Sequence, residues 1–281
     1  MSAPRFTRGR LNGSLINAAL ALWYLAIVLF LFAPIVAAIV YSFNLGVVNK
    51  QTATITGWTL KWFPAAWNDL SLRRSVEASL VVAFWSALIS IFVGSALGYA
   101  IVRHPSERVR AALSGLAYIL LIVPESVIGV SLLLFYAVTR IPLSTVTLIF
   151  GITPMAIAVV ALIVRARVLT LDRRIEEAAA DLGSTRAKTL WFIVLPQLAP
   201  AIAAGAIMAY TFSFDNLVVS AFLTTPNINT LPVYLYGSLQ YGPSPAVYVA
   251  ASVVFVFTLA MLGVAALIFR LAQRRAAAPR P

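Results

Sequence analysis

Three carboxylates fall in or beside apolar runs. Glu125 lies in LLIVPESVIGV, Asp215 lies in YTFSFDNLVVS, and Glu77 follows Arg73 and Arg74 where another run begins. An ionised group inside a bilayer costs a few kcal/mol unless paired or hydrated, so each acid is a functional candidate by default. Carboxylates in such places can offset the charge of a cationic solute as it sheds water. Tyr210, Phe212 and Phe214, just before Asp215, can add cation–π contacts. Plainer roles stand beside these. Glu125 can satisfy backbone groups freed by Pro124 or bond a partner chain. Asp215 can cap an irregular helix end with Asn216, Glu77 can pair with Arg73 or Arg74, and the aromatic rings can simply pack or face lipid. Other chemistries lack their parts. The chain has no cysteine and one histidine, His104, too few for a metal cluster or a Ser/His/Asp constellation. GSTRAKT resembles a phosphate loop, but Lys188 stands where the second glycine belongs and Thr189 where the lysine belongs, so the match fails.

The runs that hold these acids dominate the chain. Of 281 residues, 61% are hydrophobic and 11% charged, with a mean hydropathy of +0.93. Soluble chains carry about 25% charged residues. A bilayer admits only helices or closed barrels across its core. The runs are continuous rather than alternating, which selects helices, and several reach the ~20 residues needed to cross. The expected fold class is an all-α membrane protein with six transmembrane helices, over 16–42, 76–102, 111–138, 145–164, 196–222 and 246–269. The basic opening MSAPRFTRGRLNGS precedes a run too long for a signal peptide, so span one is expected to be retained. Tails 1–15 and 271–281 flank a membrane domain, 16–270. At about 1.5 Å per residue along straight helices, Glu125 stands ~22 Å beyond Arg110 and Asp215 ~27 Å beyond Gln197, at similar heights.

Net charge is +12, yet the basic residues form no single stripe of the kind that nucleic acid needs. They sort by side instead. Sixteen of the 21 Lys and Arg fall in the N-terminal tail, 103–110, 165–188 and the stretch from Arg270 to the C-terminus. The other five are Lys50, Lys61, Arg73, Arg74 and Arg140. The positive-inside rule therefore puts both termini and the 165–188 segment in the cytoplasm. In the opposite loop, 43–75, Trp58, Trp62 and Trp67 are expected at the membrane interface. The uncharged segment TTPNINTLPVYLYGSLQYGPSP reads as a loop rich in turn formers.

One stretch breaks the apolar pattern, IEEAAADLGSTRAKTLWFIVLPQLAPAI, residues 175–202. Asp172 can cap a short helix there, Arg173 and Glu177 can pair four apart, and Gly183 suits a left-handed C′ position. Ser184 can cap a second segment that leads to Pro196, which a first helical turn tolerates. Pro200, one turn on, points to a bent or irregular start of span five. Ile175, Ala179 and Leu182 share a face. That stripe can lie on headgroups or on the chain's own ends, or dock into a groove on a partner. Periodicity leaves both open.

The spacing E-A-A, three residues, G, nine residues, I-x-L-P is met in full by Glu177, Ala178, Ala179, Gly183, Ile193, Leu195 and Pro196. It resembles the EAA loop, here 171–196, of binding-protein-dependent ABC importer permeases. The resemblance extends from LKWFPAAWNDLSLRRSVEASLVVA to SFDNLVVSAFLTTPNINTLPVYLY, and those flanks are similar to the spermidine/putrescine branch. It implies the type I importer permease fold, with a cytoplasmic coupling helix between spans four and five. Glu177, Ala178, Ala179 and Gly183 would form the docking element, and Ile193, Leu195 and Pro196 would anchor it to span five. It also implies a second homologous permease, two ATPase subunits that bind ATP and Mg, an extracytoplasmic substrate-binding protein and surrounding lipid. No cofactor is expected on this chain. The family's setting is a bacterial inner membrane. A polyamine leads as substrate, followed by an amino-acid derivative or an oxyanion. The reading from another class is an ion-coupled secondary transporter using Glu125 and Asp215 as relays.

Overall fold

Prolines and caps divide the apolar runs more finely than hydropathy does. The computed structural model of the chain describes residues 11–48, 50–225, 228–240, 242–256, 259–260 and 263. Its helices are α1 (Leu11–Ser42), α2 (Trp62–Asn68), α3 (Leu70–Arg103), α4 (Glu107–Ile122), α5 (Glu125–Thr139) and α6 (Thr145–Thr170). There follow α7 (Arg173–Asp181), α8 (Arg186–Thr189), a π-helical turn (Leu190–Val194), α9 (Leu195–Phe214), α10 (Val218–Leu223), α11 (Leu231–Gln240) and α12 (Pro245–Val256).

Four helical stretches are long and apolar enough to cross a membrane: Ile16–Ser42, Leu70–Arg103, Thr145–Thr170 and Arg186–Phe214. The pair α4–α5 makes a fifth if counted as one broken span. The sixth expected span, 246–269, begins as α12, and most of its second half lies outside the described residues. So do residues 1–10 of the expected N-terminal tail and all of the C-terminal tail.

Several boundaries differ from expectation. Expected span three, 111–138, is not continuous: α4 and α5 meet at a 96° bend. The ring of Pro124 disfavours helical torsions at the residue before it, and Val123 is accordingly extended, at φ −63° and ψ 127°. The height of Glu125 taken along a straight helix therefore does not hold. Expected span five, 196–222, stops at Phe214, and α10 is a separate piece. Span two begins at Leu70 rather than at residue 76, and the expected loop after span five contains α11.

By its packing the chain divides into residues 70–237 and a second unit of 1–69 with 238–281. Within 70–237, α6 packs on both α3 and α9, and those two pack on each other. Helix α6 is apolar almost all round, with Leu148, Ile152, Ala156, Val160, Val164 and Val168 fully buried, which is the signature of a central helix. A reciprocal capping box starts it: Ser144 Oγ accepts from the Thr147 N–H at 3.2 Å, and Thr147 Oγ1 accepts from the Ser144 N–H at 2.8 Å. Small residues of α3 let α6 come close. A Cβ on Gly98 would stand 2.5 Å from the Ala161 carbonyl oxygen, and one on Gly94 would stand 2.7 Å from Val160 Cβ.

In the other unit, the segment after α1 folds on a buried asparagine. Asn44 Oδ1 accepts the Thr56 N–H at 2.8 Å, and its carbonyl accepts the Trp62 indole N–H at 2.9 Å. Trp62 is therefore a buried anchor rather than an interfacial side chain, whereas Trp58 and Trp67 are exposed. Its indole N–H finds a partner inside the protein, as a buried tryptophan requires.

Candidate functional site

The polar interruption folds as two short helices joined at glycine, as its caps dictate. Asp172 Oδ1 accepts the Arg174 N–H at 2.9 Å and starts α7. At the other end Gly183 has φ +79°. Its N–H reaches the Ala180 carbonyl, and the Ser184 N–H reaches that of Ala179, both at 2.9 Å. This is the Schellman pairing, which satisfies two carbonyls that the helix end would leave open. The second cap lies one residue later than expected: Thr185 Oγ1, not Ser184, accepts the Lys188 N–H, at 3.4 Å. Ser184 Oγ instead receives the Thr189 hydroxyl at 3.1 Å.

The loop then joins α9 through the π turn. Neither Pro196 nor Pro200 has an N–H to give to the carbonyl four residues back. The Leu195 N–H reaches five residues back, to Leu190, and the Gln197 side-chain amide donates to the Ile193 carbonyl at 3.0 Å. Among the anchor residues Ile193 and Leu195 are half-buried and Pro196 is exposed, while the fully buried positions are Val194 and Leu198. Nothing in the apolar run itself ranks these two above its other members.

The apolar stripe of α7 does not act as one face. Ala179 is buried, while Leu182 is 90% exposed at the tip beside Glu177, Ala178 and Gly183, all exposed. Glu177 Oε1 pairs with Arg173 Nε at 3.2 Å, with side chains 62% and 72% exposed. Such a pair is worth a few tenths of a kcal/mol. The neighbouring acid behaves differently. Glu176 Oε1 accepts from Arg103 Nε at 2.9 Å, and its Oε2 accepts from the Tyr99 hydroxyl at 3.0 Å. Nothing local in the sequence marks this contact to α3, because its members lie so far apart along the chain.

The two helix breaks also meet. Asn216 Nδ2 donates to Glu125 Oε2 at 3.2 Å, joining the start of α5 to the α9–α10 junction. Asn216 Oδ1 accepts the Val219 N–H at 3.1 Å and so caps α10. Glu125 is half-buried in the first turn of α5, where the helix dipole favours a negative charge. Asp215, the C-cap of α9, is exposed, and Tyr210 and Phe214 stack in the last turns of α9 just before it, with ring centroids 6.2 Å apart. Glu77 is exposed on the first turns of α3. Glu125 is thus joined to the residue next to Asp215. His104 serves its own loop, where Nδ1 accepts the Ser106 N–H.

A family described as binding-protein-dependent transport system inner membrane component matches residues 87–275. The chain belongs to this permease family. The permease is 34% identical to the spermidine/putrescine transport system permease protein PotC of Escherichia coli K12, over 87% of this chain and 91% of that one. It is 31% identical to the putrescine transport system permease protein PotI of the same strain, over 83% and 85%. Among solved structures, a chain of a bacterial ABC transporter involved in alginate import matches with a TM-score of 0.74 at 15% identity, covering 95% of the permease and 97% of itself. One from the methionine transporter MetNI gives 0.60 at 20% identity, over 74% and 97%. At these identities the likeness concerns the fold. The permease is thus a multi-pass inner-membrane subunit of an ABC importer and not an enzyme, ATP hydrolysis belonging to a separate subunit.

Proposed function

We propose that the permease forms half of an inward path for a small polyamine such as putrescine or spermidine. The observation that carries this is its 34% identity with PotC over 91% of that protein's length. The acids fit the substrate. Glu125 and Asp215 offset ammonium charge, the stacked Tyr210 and Phe214 offer faces to a cation, and Glu77 is an outlying third acid. At the other end of the chain's work, α7 is the coupling helix, presenting Glu177, Ala178 and Gly183 to a cleft of the ATPase. Ala179 seats it on the bundle, and Ile193, Leu195 and Pro196 carry its movement into α9. The complete machine adds a second homologous permease, two ATPase subunits holding ATP and Mg, an extracytoplasmic binding protein and lipid. Residues 16–270 form the membrane domain, with α7 and both tails in the cytoplasm.

The test is uptake of labelled putrescine and spermidine by proteoliposomes holding the whole transporter, with ATP inside and the binding protein outside. ATP-dependent uptake is expected, and Gly183→Asp is expected to abolish it while leaving expression intact. Transport of another solute in place of both polyamines overturns the substrate class. Wild-type uptake by Gly183→Asp overturns the docking role.

A further inference from the structure

The EAA pattern begins at Glu177, yet it is the residue before it that ties α7 to the bundle. Both carboxylate oxygens of Glu176 are engaged by α3, one by Arg103 and one by Tyr99. The same Arg103 donates through its Nη2 to the Leu171 carbonyl at 2.9 Å, holding the strap between α6 and α7. The side chains of Arg103 and Glu176 are 14% and 20% exposed. The pair is therefore far less screened than Arg173–Glu177, and its two-pronged geometry resists shear in a way that a single exposed contact does not. Tyr99 and Arg103 stand four apart and share a face of the last turns of α3.

Helix α3 leads on from there. It lies against α6 at Gly94 and Gly98, too close for any added Cβ. Near its other end Ser79 Oγ accepts the Leu231 N–H at 2.8 Å. We infer that Glu176 is a positioning residue: with Tyr99 and Arg103 it forms a clamp that passes displacement of α7 into α3, beside the covalent route into α9. Interiors packed this tightly move as bodies rather than deform, so a push on α7 tilts α3 only while the clamp holds. This rests on the proposed role of α7 as the ATPase-facing helix.

Two measurements test it in the reconstituted transporter. In the first, Glu176→Ala and Arg103→Ala are expected to keep the ATPase bound and its basal hydrolysis unchanged. Polyamine uptake per ATP should fall about tenfold, the scale of a coupling between sites. The exchanged pair Glu176→Arg with Arg103→Glu restores the ion pair but not the bonds to Tyr99 and to the Leu171 carbonyl, so uptake per ATP should recover only in part. In the second, spin labels at Ala96→Cys on α3 and Asp181→Cys on α7 report their separation as a non-hydrolysable ATP analogue is added. With Glu176 present the separation should stay fixed, and with Glu176→Ala it should shift or broaden. Wild-type uptake per ATP in both single variants, or label behaviour independent of Glu176, overturns the clamp. If the wild-type complex moves no polyamine but its label separation still depends on Glu176, the substrate reading fails and the clamp stands.

Discussion

Glu125 begins α5 with one carboxylate oxygen 3.2 Å from the Asn216 amide, and that amide's own oxygen caps α10. Structure and charge can be separated at this pair. Glu125→Gln keeps an acceptor for Asn216 but removes the negative charge, so folding should be almost unaffected. Polyamine uptake should show a KM raised about tenfold, which corresponds to about 1.4 kcal/mol. Asn216→Ala removes the cap and the donor together and should cost about 1–2 kcal/mol, seen as a lower Tm in detergent. An unchanged KM for Glu125→Gln would leave Glu125 a purely structural acceptor. At this scale the sequence marks candidate residues without showing which of them meet. An acid in an apolar run stands out, but Asn216 lies 91 residues away. Glu176 was hidden in another way, as one more acid in a charged helix whose partners on α3 lie more than 70 residues back.

Caps and glycines carried the legible information at the scale of elements. Asp172 and Gly183 bound α7 where their chemistry requires, because capping is local. Helix breaks were less legible, since hydropathy averages over the extended Val123–Pro124 link and over the α9–α10 junction. Close packing was not legible at all, because a glycine in a helix looks the same whether or not another helix touches it. Gly98 and Gly115 make the contrast testable. Gly98 lies hard against α6, whereas nothing lies within 4 Å of a Cβ on Gly115. Gly115→Ala should gain up to about 1 kcal/mol from helix propensity. Gly98→Ala should lose about 1–3 kcal/mol, because backbone must move to admit the methyl. Thermal unfolding of the two purified variants should therefore shift in opposite directions. A shift of the same sign would mean that α3 and α6 are less tightly apposed than the distances require.

The charge census and the 96° bend, taken together, constrain the whole molecule more than either does alone. A helix pair so bent can cross the bilayer as one broken span or return to the side it came from. The basic residues decide between these. If α4–α5 turned back, the clusters 103–110 and 165–188 would lie on opposite faces of the membrane, since α6 crosses once between them. The positive-inside rule opposes that division. With the broken pair crossing, both clusters share one face and Arg140 falls on the other, as the proposed orientation requires. The chain has no cysteine, so single introduced thiols can report the answer. Pro142→Cys, exposed in the α5–α6 loop, should react in intact cells with an impermeant maleimide, while Asp181→Cys on α7 should react only after the membrane is opened. Protection of Pro142→Cys until lysis would make α4–α5 a re-entrant loop. Labelling of Asp181→Cys from outside would remove α7 from the compartment where ATP is hydrolysed, and a helix on that face could not be driven by the ATPase at all.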